Sequence, residues 1–73
     1  MSRTLYFLRN GISTLKKDSL IEKYGLSVCY KDKKEEIFKN DNMLVDFKQK
    51  YITVLIYNDE DNHLISAVNT ALS

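Results

Sequence analysis

Seven consecutive residues, Tyr51-Ile-Thr-Val-Leu-Ile-Tyr57, constrain this chain more than any other segment. Extended, they put Ile52, Val54 and Ile56 on one side and Tyr51, Thr53, Leu55 and Tyr57 on the other. Such a density of β-branched and aromatic residues favours a strand. The polar run Asn58-Asp-Glu-Asp-Asn62 breaks it, and Leu64, Ile65, Val68, Ala71 and Leu72 then recur at helical spacing. A closing helix is expected from about Glu60 to Leu72, capped by Asn58 with Asp61 at the third position. Its stripe should pack on the Ile52/Val54/Ile56 side.

Upstream, Arg3-Thr-Leu-Tyr-Phe-Leu-Arg9 reads as a first strand, apolar on both sides and bounded by charge. Asn10-Gly11 ends it, since both residues tolerate positive φ. A helix over Ser13 to Tyr24 follows, terminated by a left-handed Gly25, with Leu20, Ile21 and Tyr24 as its buried stripe. Ser19-x-x-Glu22 is a rival start, because it also fits a capping box. Leu26, Val28 and Tyr30 alternate with Ser27, Cys29 and Lys31 as in a half-buried strand. Residues 36–47 divide around Asn40-Asp-Asn42 and suit a hairpin with Met43, Val45 and Phe47 on one side. The spacing of Met43, Leu44, Phe47 and Tyr51 also fits a helix, so periodicity leaves both readings open.

The expected fold is therefore one α+β domain over residues 1–73, a two-layer sandwich in the order β-α-β-β-β-α. It would hold a mixed sheet of three to five strands with two helices on one face. The alternative is a three-layer βαβαβα arrangement with residues 33–49 helical. Parallel strands should be apolar on both faces, and Ser27, Cys29 and Lys31 weigh against that.

A chain of 73 residues buries only about 60% of its unfolded surface, and small scaffolds usually need a staple. One cysteine rules out an intrachain disulfide, and Cys29 with His63 alone cannot complete a structural zinc cage. Good packing or self-association remains, so a homodimer is a natural expectation. No apolar run reaches the roughly 18 residues of a membrane span. Leu5-Tyr-Phe-Leu8 is too short for a signal core. A cytoplasmic chain with no membrane partner is expected, and a lone thiol suits a reducing compartment. Met1 opens the chain with no tag or linker, as in an intact small protein.

Charge is uneven: residues 1–34 hold eight Lys/Arg against three Asp/Glu, and residues 35–73 hold three against seven. A solvated exterior whose halves fold back on each other accounts for this without a partner.

Three chemistries compete. Asp59, Glu60 and Asp61 could offer oxygen ligands to a hard cation, although the glycine and the distant Glu of a calcium loop are missing. The plainer reading is carboxylates at a helix start, where they offset the dipole. Cys29 and His63 could pair in space as nucleophile and base, yet a half-buried thiol and an exposed helix histidine need no chemistry. Tyr6, Tyr30, Tyr51 and Tyr57 with Lys31, Lys33, Lys34, Lys48 and Lys50 could bind single-stranded nucleic acid on an open sheet face. A formal net charge of +1 argues against that, since such binders are usually basic.

No catalytic residue, metal site or cofactor is assigned. The leading expectation is a non-enzymatic protein-binding module, a regulator or inhibitor contacting its partner through Tyr51, Thr53, Leu55 and Tyr57. Lys, Asn and Ile usage suits an AT-rich genome, and a short chain without catalytic machinery fits a phage or mobile-element product. A nucleic-acid binder ranks second, and a metal-dependent enzyme at residues 58–63 third.

Overall fold

The computed structural model describes residues Met1–Ser73. Its elements, in chain order, are β1 (Arg3–Leu8), α1 (Thr14–Tyr24), β2 (Ser27–Lys31), β3 (Glu35–Lys39), β4 (Met43–Lys48), β5 (Tyr51–Ile56) and α2 (Asn62–Leu72). The α+β class and the order β-α-β-β-β-α are those expected, and residues 33–49 are strand, which excludes the three-layer alternative. The five strands lie in the order β1-β5-β4-β3-β2.

Every neighbouring pair is antiparallel, so the expected mixed sheet is corrected. Short turns join β2 to β5 in succession, and short turns can only join antiparallel strands. β1 and β2 run in the same direction across α1, and their adjacency would have made the sheet mixed. Instead they form opposite edges, with β1 paired to β5.

One side of the sheet carries the core. Met43, Val45 and Phe47 of β4 lie opposite Ile56, Val54 and Ile52 of β5, and all six are buried. Leu5 of β1 extends the layer opposite Val54. Leu20 from α1 and Ile65, Val68 and Leu72 from α2 close over it in the same cluster. Burying one such side chain is worth about 1.5–3 kcal/mol, so this single layer dominates the stability of the domain.

Local chemistry fixes the connections. Ser13 caps α1 by accepting from the Lys16 N–H at 3.1 Å, so the Ser19 start does not operate. At the other end Gly25 takes φ 59°, with its N–H donating to Glu22 O and the Leu26 N–H to Ile21 O. That pair of bonds is a Schellman motif. Asn40 organises the β3–β4 turn: its Oδ1 accepts from the N–H groups of Asn42 and Met43, at 2.7 and 2.8 Å. Its Nδ2 donates to Tyr24 O at 2.9 Å, which ties the hairpin to the end of α1.

Three local expectations are revised. Asn10-Gly11 ends β1 in a single 3₁₀ turn, and neither residue takes positive φ. The cap of α2 is Asp61, whose Oδ1 accepts from the Leu64 N–H at 3.2 Å. Asn58 holds the turn before it, accepting from the Glu60 N–H at 3.0 Å. β2 is exposed along its whole length rather than half-buried. A bulge between Val28 and Tyr30 changes its phase, so Val28 faces Phe38 while Tyr30 faces Ile37 on the other side. Val28 stays 56% exposed.

A Cβ at Gly25 or Gly11 would meet nothing within 4 Å, so backbone conformation alone separates the two sites. Gly25→Ala should cost about 1–2 kcal/mol in urea unfolding, the strain of a left-handed non-glycine residue. Gly11→Ala should change stability by less than about 0.5 kcal/mol.

Candidate functional site

Both helices pack on the same side of the sheet, so its other side is uncovered. The strand registers define what that side presents. One row runs Thr4, Leu55, Leu44, Lys39 and Ser27, and a second runs Tyr6, Thr53, Asp46, Ile37 and Tyr30. A third begins with Leu8 and Tyr51, and Lys48 pairs with Glu35 near the same end. Tyr6, Leu8 and Tyr51 are 73%, 63% and 52% exposed. The face thus joins apolar area to tyrosine hydroxyls, the composition of protein interfaces.

Tyr51, Thr53 and Leu55 alternate along β5 onto this face. Tyr57 lies just past the strand, beside a cleft lined by Ser27, Lys39, Asn40 and Asp41, and its N–H donates to Asn42 O at 3.1 Å. Tyr6, expected only as a nucleic-acid-stacking tyrosine, and Leu8, not expected at all, are more exposed than any residue of the expected protein-contact set. Their alternation with the inward Leu5 and Phe7 is the sequence signal, readable once β1 is known to share a core side with β5.

A carboxyl pair lies within the face. Asp46 and Glu35 come together from adjacent strands, and one Asp46 oxygen is buried without a hydrogen-bond partner. A hydrogen bond with Asp46 is the first cause that lifts the Glu35 carboxyl above the ordinary glutamate range, followed by desolvation and the Asp46 charge. Lys48, 3.8 Å from Asp46, opposes the shift. Glu35, when protonated, is placed to donate to Asp46. The pair was not evident in the sequence because only the strand register juxtaposes the two side chains.

The opposite shift occurs at the edge of the core. Glu36 is on the helix side of β3, where Lys17 of α1 and Lys31 of β2 meet it. Those bonds, Lys17 first, hold its carboxyl below the usual range. The Lys17 ammonium also lies over the rings of Phe38 and Phe47, 5.9 and 5.3 Å from their centres. Arg9 covers Phe47 as well, at 5.5 Å. Cations thus close the apolar layer at this end. In the β2–β3 turn, Asp32 accepts from Tyr30 Oη and from the N–H groups of Lys34 and Glu35, which lowers its own pKa.

Basic side chains collect at the same end of the molecule. Arg9, Lys33, Lys34 and Lys48 line one cleft with Asp32, Glu35 and Glu36, and Lys34, Lys48 and Lys50 line a second with Tyr51. The acidic segment 59–61 belongs to the far end. Asp61 spends its carboxylate on the helix cap, and no three His, Cys, Asp or Glu side chains gather as a ligand set. The Cys29 thiol donates weakly to Ile37 O at 3.4 Å. His63, exposed in the first turn of α2, makes no hydrogen bond with it. No helix is long and apolar enough to cross a membrane.

Comparison with models of known protein families, with curated proteins and with solved structures finds no match to this chain. The functional reading therefore rests on the geometry of the face.

Glu35 provides a test of that geometry. Its folded-state pKa is raised, so the folded chain binds the proton more tightly than the unfolded one. Its contribution to stability is then fully present below the ordinary glutamate pKa and is lost as pH rises through the folded value. Glu35→Gln should remove that loss and raise the melting temperature at neutral pH relative to acid. An unchanged pH profile in the variant would contradict the pairing.

Proposed function

We propose that this chain is a small non-enzymatic protein-binding module that acts by occlusion, as a regulator or inhibitor of the protein it contacts. The observation that carries this reading is the uncovered sheet face, where Tyr6, Leu8 and Tyr51 stand more than half exposed beside Thr53 and Leu55. Contiguous exposed apolar surface rimmed by polar groups marks interaction sites. Tyrosines offer large contact area with few rotatable bonds to immobilise. Tyr51, Thr53, Leu55 and Tyr57 are the proposed contact residues, with Tyr6 and Leu8 added from β1. A cytoplasmic setting and a phage or mobile-element origin fit this role as further parts of the proposal.

A second reading has its own observation. Arg9, Lys33, Lys34, Lys48 and Lys50 gather at the rim next to Tyr51, which would suit a single strand of nucleic acid stacked on the tyrosines. Asp32, Glu35 and Glu36 share that rim and reduce its positive field, which favours the protein reading.

Photo-crosslinking from within cells separates these possibilities. A benzophenone amino acid at Tyr51 or Leu55 should capture a discrete protein, and one at Leu15 on the exposed side of α1 should not. Tyr51→Ala should then weaken binding of the captured protein by about 2 kcal/mol, roughly thirtyfold. Circular dichroism should be unchanged. Crosslinks to nucleic acid that fade steeply with added salt would select the second reading.

A further inference from the structure

The two edges of the sheet are built differently. β2 carries the devices that blunt an edge: a bulge at Cys29 and a charged Lys31 on the side that faces the helices. β1 has no bulge, and its one charged residue on that side, Arg3, stands at its first position, which leaves Thr4 to Leu8 a regular, uncharged edge. Its pairing with β5 is regular from Arg3 to Leu8, with no bulge and no proline.

Two hydrogen bonds fix which way its backbone points. The Arg9 N–H donates to Lys50 O at 2.9 Å, and Met1 O accepts from the Asp59 N–H at 3.0 Å. In an antiparallel pair, the N–H and C=O of one residue point the same way, and the direction alternates along the strand. Met1, Arg3, Leu5, Phe7 and Arg9 therefore address β5. Ser2, Thr4, Tyr6 and Leu8 turn both backbone groups outward, where nothing in the chain meets them. Tyr6 and Leu8, on this bare edge, are also the most exposed large hydrophobic side chains of the open face.

The geometry points to a second copy of this chain as the occupant: we propose that β1 pairs with β1 of another molecule about a two-fold axis. Only registers whose residue numbers sum to an even value keep core sides together, because a one-residue slip turns every side chain over. With Leu5 opposite Leu5 of the second copy, Ser2 faces Leu8 and Thr4 faces Tyr6, so all four outward residues on each chain find partners. Arg3 then lies opposite a phenylalanine, Phe7. Centring on Tyr6 would leave Ser2 unmatched and set Arg3 against Arg9.

Charge favours the antiparallel sense. Asp59, Glu60 and Asp61 lie at the Met1 end of β1, and they outnumber the two cations there, Arg3 and the α-amino group. Arg9 and Lys50 lie at its Leu8 end. Antiparallel pairing sets each acidic end beside a basic one, twice by symmetry. Parallel pairing would join like to like. The resulting ten-stranded sheet keeps both open faces on one side, with Tyr6, Leu8 and Tyr51 of both copies around the axis. This association does not depend on what the open face binds.

Sedimentation equilibrium over a concentration series should report twice the 8.5 kDa chain mass. Tyr6→Pro removes an N–H that points away from β5, so it should weaken association at least tenfold while the chain stays folded. Tyr6→Lys tests the same edge without a backbone change and should do likewise. In a Cys29→Ser background, Thr4→Cys with Tyr6→Cys should oxidise to a crosslinked dimer, because hydrogen-bonded pairs hold Cα atoms about 5.5 Å apart, within disulfide range. A monomer at every concentration would overturn the proposal. So would a dimer that survives both Tyr6 variants but dissociates on Tyr51→Thr with Leu55→Thr. Crosslinking by Tyr6→Cys alone, without the double variant, would overturn the register.

Discussion

Everything in this domain depends on the contact between the inner sides of two neighbouring strands. Met43, Val45 and Phe47 of β4 and Ile52, Val54 and Ile56 of β5 form one continuous apolar layer without exposed surface beyond a trace. Alternation along each strand fixes the side on which that layer lies, and a slip by one residue would move it into water. The helices add Leu20, Ile65, Val68 and Leu72 to the same side and leave the other bare. The core also has a definite end. Where β3 leaves it, Glu36 takes the inward position, and Lys17 and Lys31 meet its carboxylate while Lys17 covers the phenylalanine rings.

A one-sided core has consequences for function. Two short helices cover one face of a five-stranded sheet and leave the other bare. The outer side chains must then be compatible with water and available to a partner. Tyrosines and threonine meet both demands. Its two ends differ in charge, which gives any partner an orientation as well as an area.

Much of the fold was legible because its signals were local. The strand over residues 51–56, the apolar stripe of α2 and the termination of α1 at Gly25 each depend on a few adjacent residues. The ambiguity at residues 36–47 is resolved in favour of strands by Asn40, whose side chain closes the turn and bonds α1 at the same time. The rest depends on partners that the sequence does not place. The bulge in β2 exists only relative to β3, and the choice of Asp61 over Asn58 as the cap turns on the geometry of an extra turn. The antiparallel sheet follows from β1 pairing with β5, the two strands farthest apart in sequence. On the candidate face, Tyr51, Thr53 and Leu55 were readable from strand alternation. Tyr6 was legible there only as a base-stacking tyrosine, while Leu8 and the Glu35–Asp46 contact required the register.

The most direct test of the one-sided architecture is side-chain NMR with a soluble paramagnetic probe added to the solvent. Signals of Tyr51, Thr53 and Leu55 should broaden strongly with probe concentration, and those of Ile52, Val54 and Ile56 should persist. Comparable protection of both sets along β5 would contradict an open sheet face and the account of function built on it.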